Sequence, residues 1–105
     1  MSTTAYLFTI VKGCNVVLRK TGDNNYHLLD PRRDLYKYTG DFSWGYRGTG
    51  VQFLANSILG HHLNIGTGGP RPNSEDVNKV IEFLATIPQN AEKEIHSSQI
   101  DSLLL

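Results

Sequence analysis

Apolar and polar positions alternate along the first third of the chain and then change period. Tyr6-Leu7-Phe8-Thr9-Ile10-Val11 is rich in β-branched and aromatic residues and stops at Gly13, which predicts a strand. Val16-Val17-Leu18-Arg19-Lys20 predicts a second, so that Lys12-Gly13-Cys14-Asn15 becomes the connection of a hairpin. Gly13 and Asn15 are the residues there that readily tolerate positive φ, and the turn type stays open on sequence grounds. A turn cluster at Thr21-Gly22-Asp23-Asn24-Asn25 leads to Tyr26-His27-Leu28-Leu29, a short third strand. Asp30-Pro31 ends it, because proline lacks a ladder donor and restricts the residue before it. Leu35-Tyr36-Lys37-Tyr38 is a candidate fourth strand.

After Gly50 the spacing becomes helical, with Val51, Leu54, Ala55, Ile58, Leu59 and His62 or Leu63 on one face. Thr49 and Gln52 have the spacing of a capping box, in which a hydroxyl and a side-chain amide satisfy two orphan backbone donors. His61 and His62 lie where the helix dipole favours a cation, and Asn64 or Gly66 offers the left-handed residue that closes the helix. Gly66-Thr67-Gly68-Gly69-Pro70-Arg71-Pro72 predicts a mobile surface loop. Ser74 then caps a second helix with Glu75 and Asp76 in its first turn. Its buried stripe is Val77, Val80, Ile81 and Leu84, and Pro88 stops it after Ile87. Ser97 or Ser98 is placed to cap a short last helix carrying Ile100, Leu103, Leu104 and Leu105. The pattern is that of an α+β fold: an antiparallel sheet of three or four strands packed against two main helices, with room for a short C-terminal helix.

Length and composition fit that picture. The 105 residues suit one domain spanning 1–105, and 39% hydrophobic with 19% charged residues is a globular balance. No apolar run approaches the roughly 18 residues of a spanning helix, and no signal peptide is evident, so a cytoplasmic protein without a membrane partner is expected. The lone Cys14 has no thiol to pair with and is expected to act as a small apolar filler. Zero net charge argues against strong generic nucleic-acid binding. The charges are polarised all the same: seven bases face four acids through residue 50, and three face six thereafter.

Candidate chemistry concentrates at Trp44-Gly45-Tyr46-Arg47-Gly48-Thr49-Gly50, directly before the first helix. Orphan N–H groups at a helix start, glycines that allow close backbone approach and the Arg47 guanidinium would together suit a phosphate or a carboxylate, including an acidic side chain of a protein partner. The spacing Gly-x-x-Gly-x-Gly is neither a dinucleotide fingerprint nor a phosphate-loop motif. A purely structural reading stands beside the ligand reading, with Phe42, Trp44 and Tyr46 covering the sheet edge while the glycines turn the corner.

The run from Asp41 through Leu59 resembles the signature of a small prokaryotic domain family of unknown function, found in bacteria and in phages and other mobile elements. That family carries Phe-x-Trp-Gly-Tyr-x-Gly-Ser/Thr-Gly-Pro followed by an Ala/Leu-rich helix. Val51 departs from it where proline is common. The resemblance implies architecture and genomic setting and assigns no catalytic residue.

Elsewhere His27, His61, His62 and His96 have no metal-ligand spacing, and no metal or cofactor is expected. The serines lack a nucleophile-elbow context. Asp30 and Asp34 bracket Arg32 and Arg33 in a loop that reads as a solvated charge cluster. Arg32, Arg33 and, in the glycine-rich loop, Arg71 form a secondary candidate surface for a partner. The expectation is therefore a non-catalytic interaction protein, encoded by a phage or mobile element and binding a host protein or complex. One form of this is an inhibitor of a defence nuclease such as an anti-CRISPR protein. The alternative is a small enzyme or ligand-binding protein that recognises a phosphate-containing molecule at the Gly45 to Gly50 corner.

Overall fold

The computed structural model describes residues 4–21, 25–90 and 92–105. Strands β1 (Thr4–Val11) and β2 (Cys14–Thr21) form a hairpin in which Val11 faces Cys14, leaving Lys12 and Gly13 as a two-residue loop. Both have positive φ, 50° and 79°, the pattern of a type I′ turn whose twist matches that of the strands. Lysine rather than Asn15 takes the first left-handed position, and Cys14 is exposed at the hairpin end rather than buried as filler. The turn cluster expected at 21–25 lies largely outside the described residues. β3 (Asn25–Leu28) pairs with β2, and β4 (Lys93–His96) pairs with the other edge of β1. The sheet is antiparallel throughout, in the order β3-β2-β1-β4.

The fourth strand is thus near the C-terminus and not at Leu35–Tyr38. That segment belongs to a long irregular stretch, roughly 29–48, which survives without a ladder because side chains anchor it. Leu35 is fully buried, the N–H groups of Leu35 and Tyr36 both donate to the Arg32 carbonyl, and the Tyr38 ring packs edge-on against Phe53 at 5.5 Å.

Helix α1 (Thr49–His62) is buried over Gly50, Val51 and the whole run Phe53–Gly60, far more than one amphipathic stripe. It packs against α2, its buried side chains join those of the sheet and α2 in one core, and the irregular stretch covers another flank: the Ser57 hydroxyl accepts the Arg32 N–H at 3.0 Å, and Gly60 leaves space filled by Leu35 and Arg32. The Thr49–Gln52 capping box does not form. Thr49 is already helical, the preceding Gly48 makes no side-chain cap, and Gln52 Oε1 accepts from the Tyr36 hydroxyl instead. At the other end Asn64 takes φ 54°, with Ile65 N–H on the Gly60 carbonyl and Asn64 N–H on the His61 carbonyl, a Schellman closure.

Helix α2 (Ser74–Ala85) is capped by Asn73, whose side chain accepts the Glu75 N–H at 2.7 Å, one residue before the expected Ser74. It ends two residues before Ile87 because the Leu84 carbonyl turns to accept from Gly45 and Ile87. α3 (Ser97–Leu103) follows β4 directly. Its boundary residue is the extended His96, whose N–H donates to Gln99 Oε1, rather than Ser97 or Ser98.

Burial along the strands fixes the layers. Tyr6, Phe8, Val17 and Ile95 point inward and join Trp44, Leu54, Ile58, Leu59, Val80, Leu84 and Ile100 in one core. Leu7, Thr9, Val16, Leu18, Leu28 and Glu94 alternate with them and point away from the three helices. No helix among the described residues is long and apolar enough to cross a membrane.

Candidate functional site

The Trp44 to Gly50 corner is built into the core. Trp44 is only 2% exposed, packs on Phe8 with ring centroids 5.2 Å apart and donates from Nε1 to the Pro88 carbonyl at 3.2 Å. Gly45 has φ +88° and donates its N–H to the Leu84 carbonyl at 2.9 Å, so the corner seals the C-terminal end of α2. Gly48 is extended at φ 178°, and Gly50 is glycine because a Cβ there would lie 3.0 Å from the Asp41 carbonyl. Asp41 to Ser43 therefore covers the start of α1. Tyr46 is exposed, and the exposed Arg47 pairs with Glu82 on α2 rather than standing free for an anion.

The second candidate surface separates into three unlike environments. Arg32 is 8% exposed, and each of its three guanidinium nitrogens donates internally. Nε and Nη2 reach the two oxygens of Asp34 at 2.9 and 2.8 Å, Nη1 the Ile65 carbonyl at 2.7 Å, and Nη2 also the Gly66 carbonyl at 3.1 Å. Asp34 in turn accepts the Gly68 N–H at 3.1 Å. The Arg32 guanidinium, with help from that N–H, holds the Asp34 carboxyl far below the usual carboxylate range. This is a lock between the 29–48 stretch and the first residues of the glycine-rich loop, which is tied down at its start instead of free; it is not a solvated cluster. Arg33 is exposed and lies over the Phe53 ring at 4.9 Å. Arg71 lines a different shallow cleft with Tyr36, Gln52 and Asn56.

Two features emerge that the sequence reading did not single out. The first is the outward face of the sheet. Leu28 is 72% exposed, Val11 and Tyr26 are also exposed, and Leu7, Val16 and Leu18 are half-buried between them. Polar groups rim this strip: Thr9 donates to Glu92 at 3.0 Å, and Lys20 sits 5.8 Å from the Tyr26 ring. Strand alternation was the available signal, since it places these apolar residues opposite the core set.

The second is a polar cleft of about 470 Å³ at the end of the core, where β1, β2, the last turn of α1 and the start of α3 meet. Tyr6 and Arg19, directly paired across the hairpin, form part of its lining. The Tyr6 hydroxyl and Arg19 Nε are both buried and neither makes a hydrogen bond of good geometry, although the guanidinium lies close enough to the phenol oxygen to interact with it. Burial pushes the Tyr6 phenol above its ordinary value, partly opposed by the adjacent guanidinium, so the hydroxyl stays a protonated donor. The opposite wall is better satisfied. His62 Nε2 lies 2.7 Å from Asp101 Oδ1 and His61 Nε2 lies 3.1 Å from the Asp30 carbonyl, which fixes each Nε2 as the protonated nitrogen. The signal that would have found it is an arginine opposite a tyrosine on the inward face of an otherwise apolar hairpin.

Among the described residues no group of three or more histidine, cysteine, aspartate or glutamate side chains is arranged to hold a metal ion. No family model matches the chain, and no curated protein or solved structure does so either.

Proposed function

We propose that the chain is a non-catalytic interaction protein that binds a host macromolecule through the outward face of its sheet. The observation that supports this is the strip of Leu7, Val11, Val16, Leu18 and Leu28, apolar and on the face of the sheet opposite the core set. An exposed apolar strip with a charged rim is the usual composition of a protein contact surface, and its energetic weight falls on a few central side chains. The resemblance of Asp41–Leu59 to phage and mobile-element domains makes inhibition of a host defence enzyme the particular role to test. Phosphate recognition at the Gly45 to Gly50 corner has less support, because its aromatic anchor is buried and its arginine is paired.

Affinity capture from host lysate, run in parallel with Leu28→Asp, tests the reading. Leu28 is exposed enough for the charge to leave the fold intact, and the variant is expected to lose the captured partner while keeping its melting temperature. A partner held equally by both forms would place the contact elsewhere.

A further inference from the structure

We infer that the polar cleft between β1, β2, α1 and α3 is a binding site for a small molecule bearing an oxyanion, a phosphate or a carboxylate, held by Arg19 and the Tyr6 hydroxyl. The two orphan donors carry the argument. The guanidinium lies against the phenol oxygen, yet neither the Arg19 Nε–H nor the Tyr6 O–H has an acceptor of good geometry; buried donors left so cost stability, and two beside one cleft are accounted for by an acceptor that arrives from outside. An oxyanion supplies several lone pairs at once, and arginine with a hydroxyl donor is a chemistry suited to holding it.

The surrounding charges agree. Among the described residues Arg19 has no carboxylate partner, and the acid on the cleft wall, Asp101, is engaged by His62. The volume decides the size of ligand. About 470 Å³ exceeds what a bare ion needs and falls in the range of roughly 300–1,000 Å³ typical of small-molecule sites. The oxyanion is thus one end of a larger molecule, whose remainder lies toward the hydroxyls of Thr4 and Ser97 and the His62–Asp101 pair. This site is separate from the proposed partner face, which lies on the other side of the same strands.

The test titrates the full chain with inorganic phosphate and, separately, with citrate, following amide shifts by two-dimensional NMR and the melting temperature in anion-free buffer. Saturable binding of either anion below about 10 mM, with the largest shifts in β1 and β2, is expected. Phosphate alone would mark a phosphorylated ligand and citrate alone a carboxylate. Arg19→Met should weaken the binding by at least about tenfold, the usual scale for a hydrogen-bonded charge. Tyr6→Phe keeps the core ring, so it stays folded and weakens binding by a smaller factor. Because it removes an orphan donor, it should leave the anion-free melting temperature equal or higher. Absence of binding by both anions, affinity unchanged in both variants, or a Tyr6→Phe protein that melts lower without anion would each overturn the assignment.

Discussion

Replacing Gly45 by alanine separates a structural joint from a ligand loop, and its cost can be worked from the local geometry. The residue sits at φ +88°, where an L side chain is strained by about 1–2 kcal/mol, less a few tenths recovered from the stiffer unfolded chain. Its Cβ would also meet the Ile87 carbonyl oxygen at 2.8 Å and the Gln89 side chain at 2.3 Å. Gln89 is exposed and can swing aside, but Ile87 is held in the core and its backbone cannot. Overpacking of that kind adds about 1–3 kcal/mol, partly by stretching the bond from Gly45 to the Leu84 carbonyl. The total of about 2–4 kcal/mol corresponds to a fall in melting temperature of about 10–25 °C for a domain this size. Gly13→Ala is the control, since it has φ +79° and nothing within 4 Å of the added carbon, so it pays the strain alone. Thermal denaturation by circular dichroism on both variants gives the difference directly. Equal losses at the two positions would refute the view that the corner is pressed against the end of α2.

Three other outcomes follow from the same contacts. Asn73→Ala should cost about 1 kcal/mol in a urea titration while Thr49→Ala costs close to nothing, the reverse of what the capping-box spacing predicts. Trp44→Ala should destabilise by about 3–5 kcal/mol through the cavity it opens, whereas Arg47→Ala should fall within about 0.5 kcal/mol because its partner Glu82 is equally exposed. Asp34 has a folded-state pKa depressed by Arg32, so the stability it contributes is present above its unfolded value near pH 4 and is lost as pH falls below that. The gap in urea midpoint between wild type and Asp34→Asn should be constant above about pH 5 and narrow progressively as pH falls below about 4; a gap independent of pH would rule out the pairing.

The hairpin and the two main helices were legible because each buries enough alternating or 3.6-spaced side chains to imprint a period. β4 was not, since Ile95 is the single buried residue in Lys93-Glu94-Ile95-His96 and one apolar position carries no period. Leu35-Tyr36-Lys37-Tyr38 misled for the opposite reason. Its residues alternate because Leu35 reaches the core while the tyrosines lie near Phe53, not because a neighbouring strand pairs with them. Arg32 and Arg33 are adjacent and alike, yet one is buried and the other exposed. The trace of that difference lies at Gly60, a helix-interior glycine that costs about 1 kcal/mol relative to alanine unless something fills the space it leaves. The cleft drew on four elements, and only the Tyr6–Arg19 pair was within reach once a two-residue turn at Lys12-Gly13 fixed the register.

That register also makes the two proposed surfaces separable. Tyr6 and Arg19 point inward to the cleft, while Leu7 and Leu18, one residue along each strand, point outward to the open face. Leu28 lies on the edge strand beside Leu18, outside the cleft lining that holds Tyr6 and Arg19, and is 72% exposed. Leu28→Asp is therefore expected to lose the macromolecular partner and to bind phosphate or citrate with the affinity of the wild type. Tyr6→Phe should show the converse, retaining the partner while its anion affinity falls. Each variant is read by the same two assays, capture and NMR titration, with the melting temperature confirming that both remain folded. Loss of the partner in a fully folded Tyr6→Phe protein would mean that the ligand in the cleft and the contact on the sheet are energetically linked. The coupling would then be reciprocal, so that bound partner changes anion affinity by the same factor by which the anion changes the affinity for the partner.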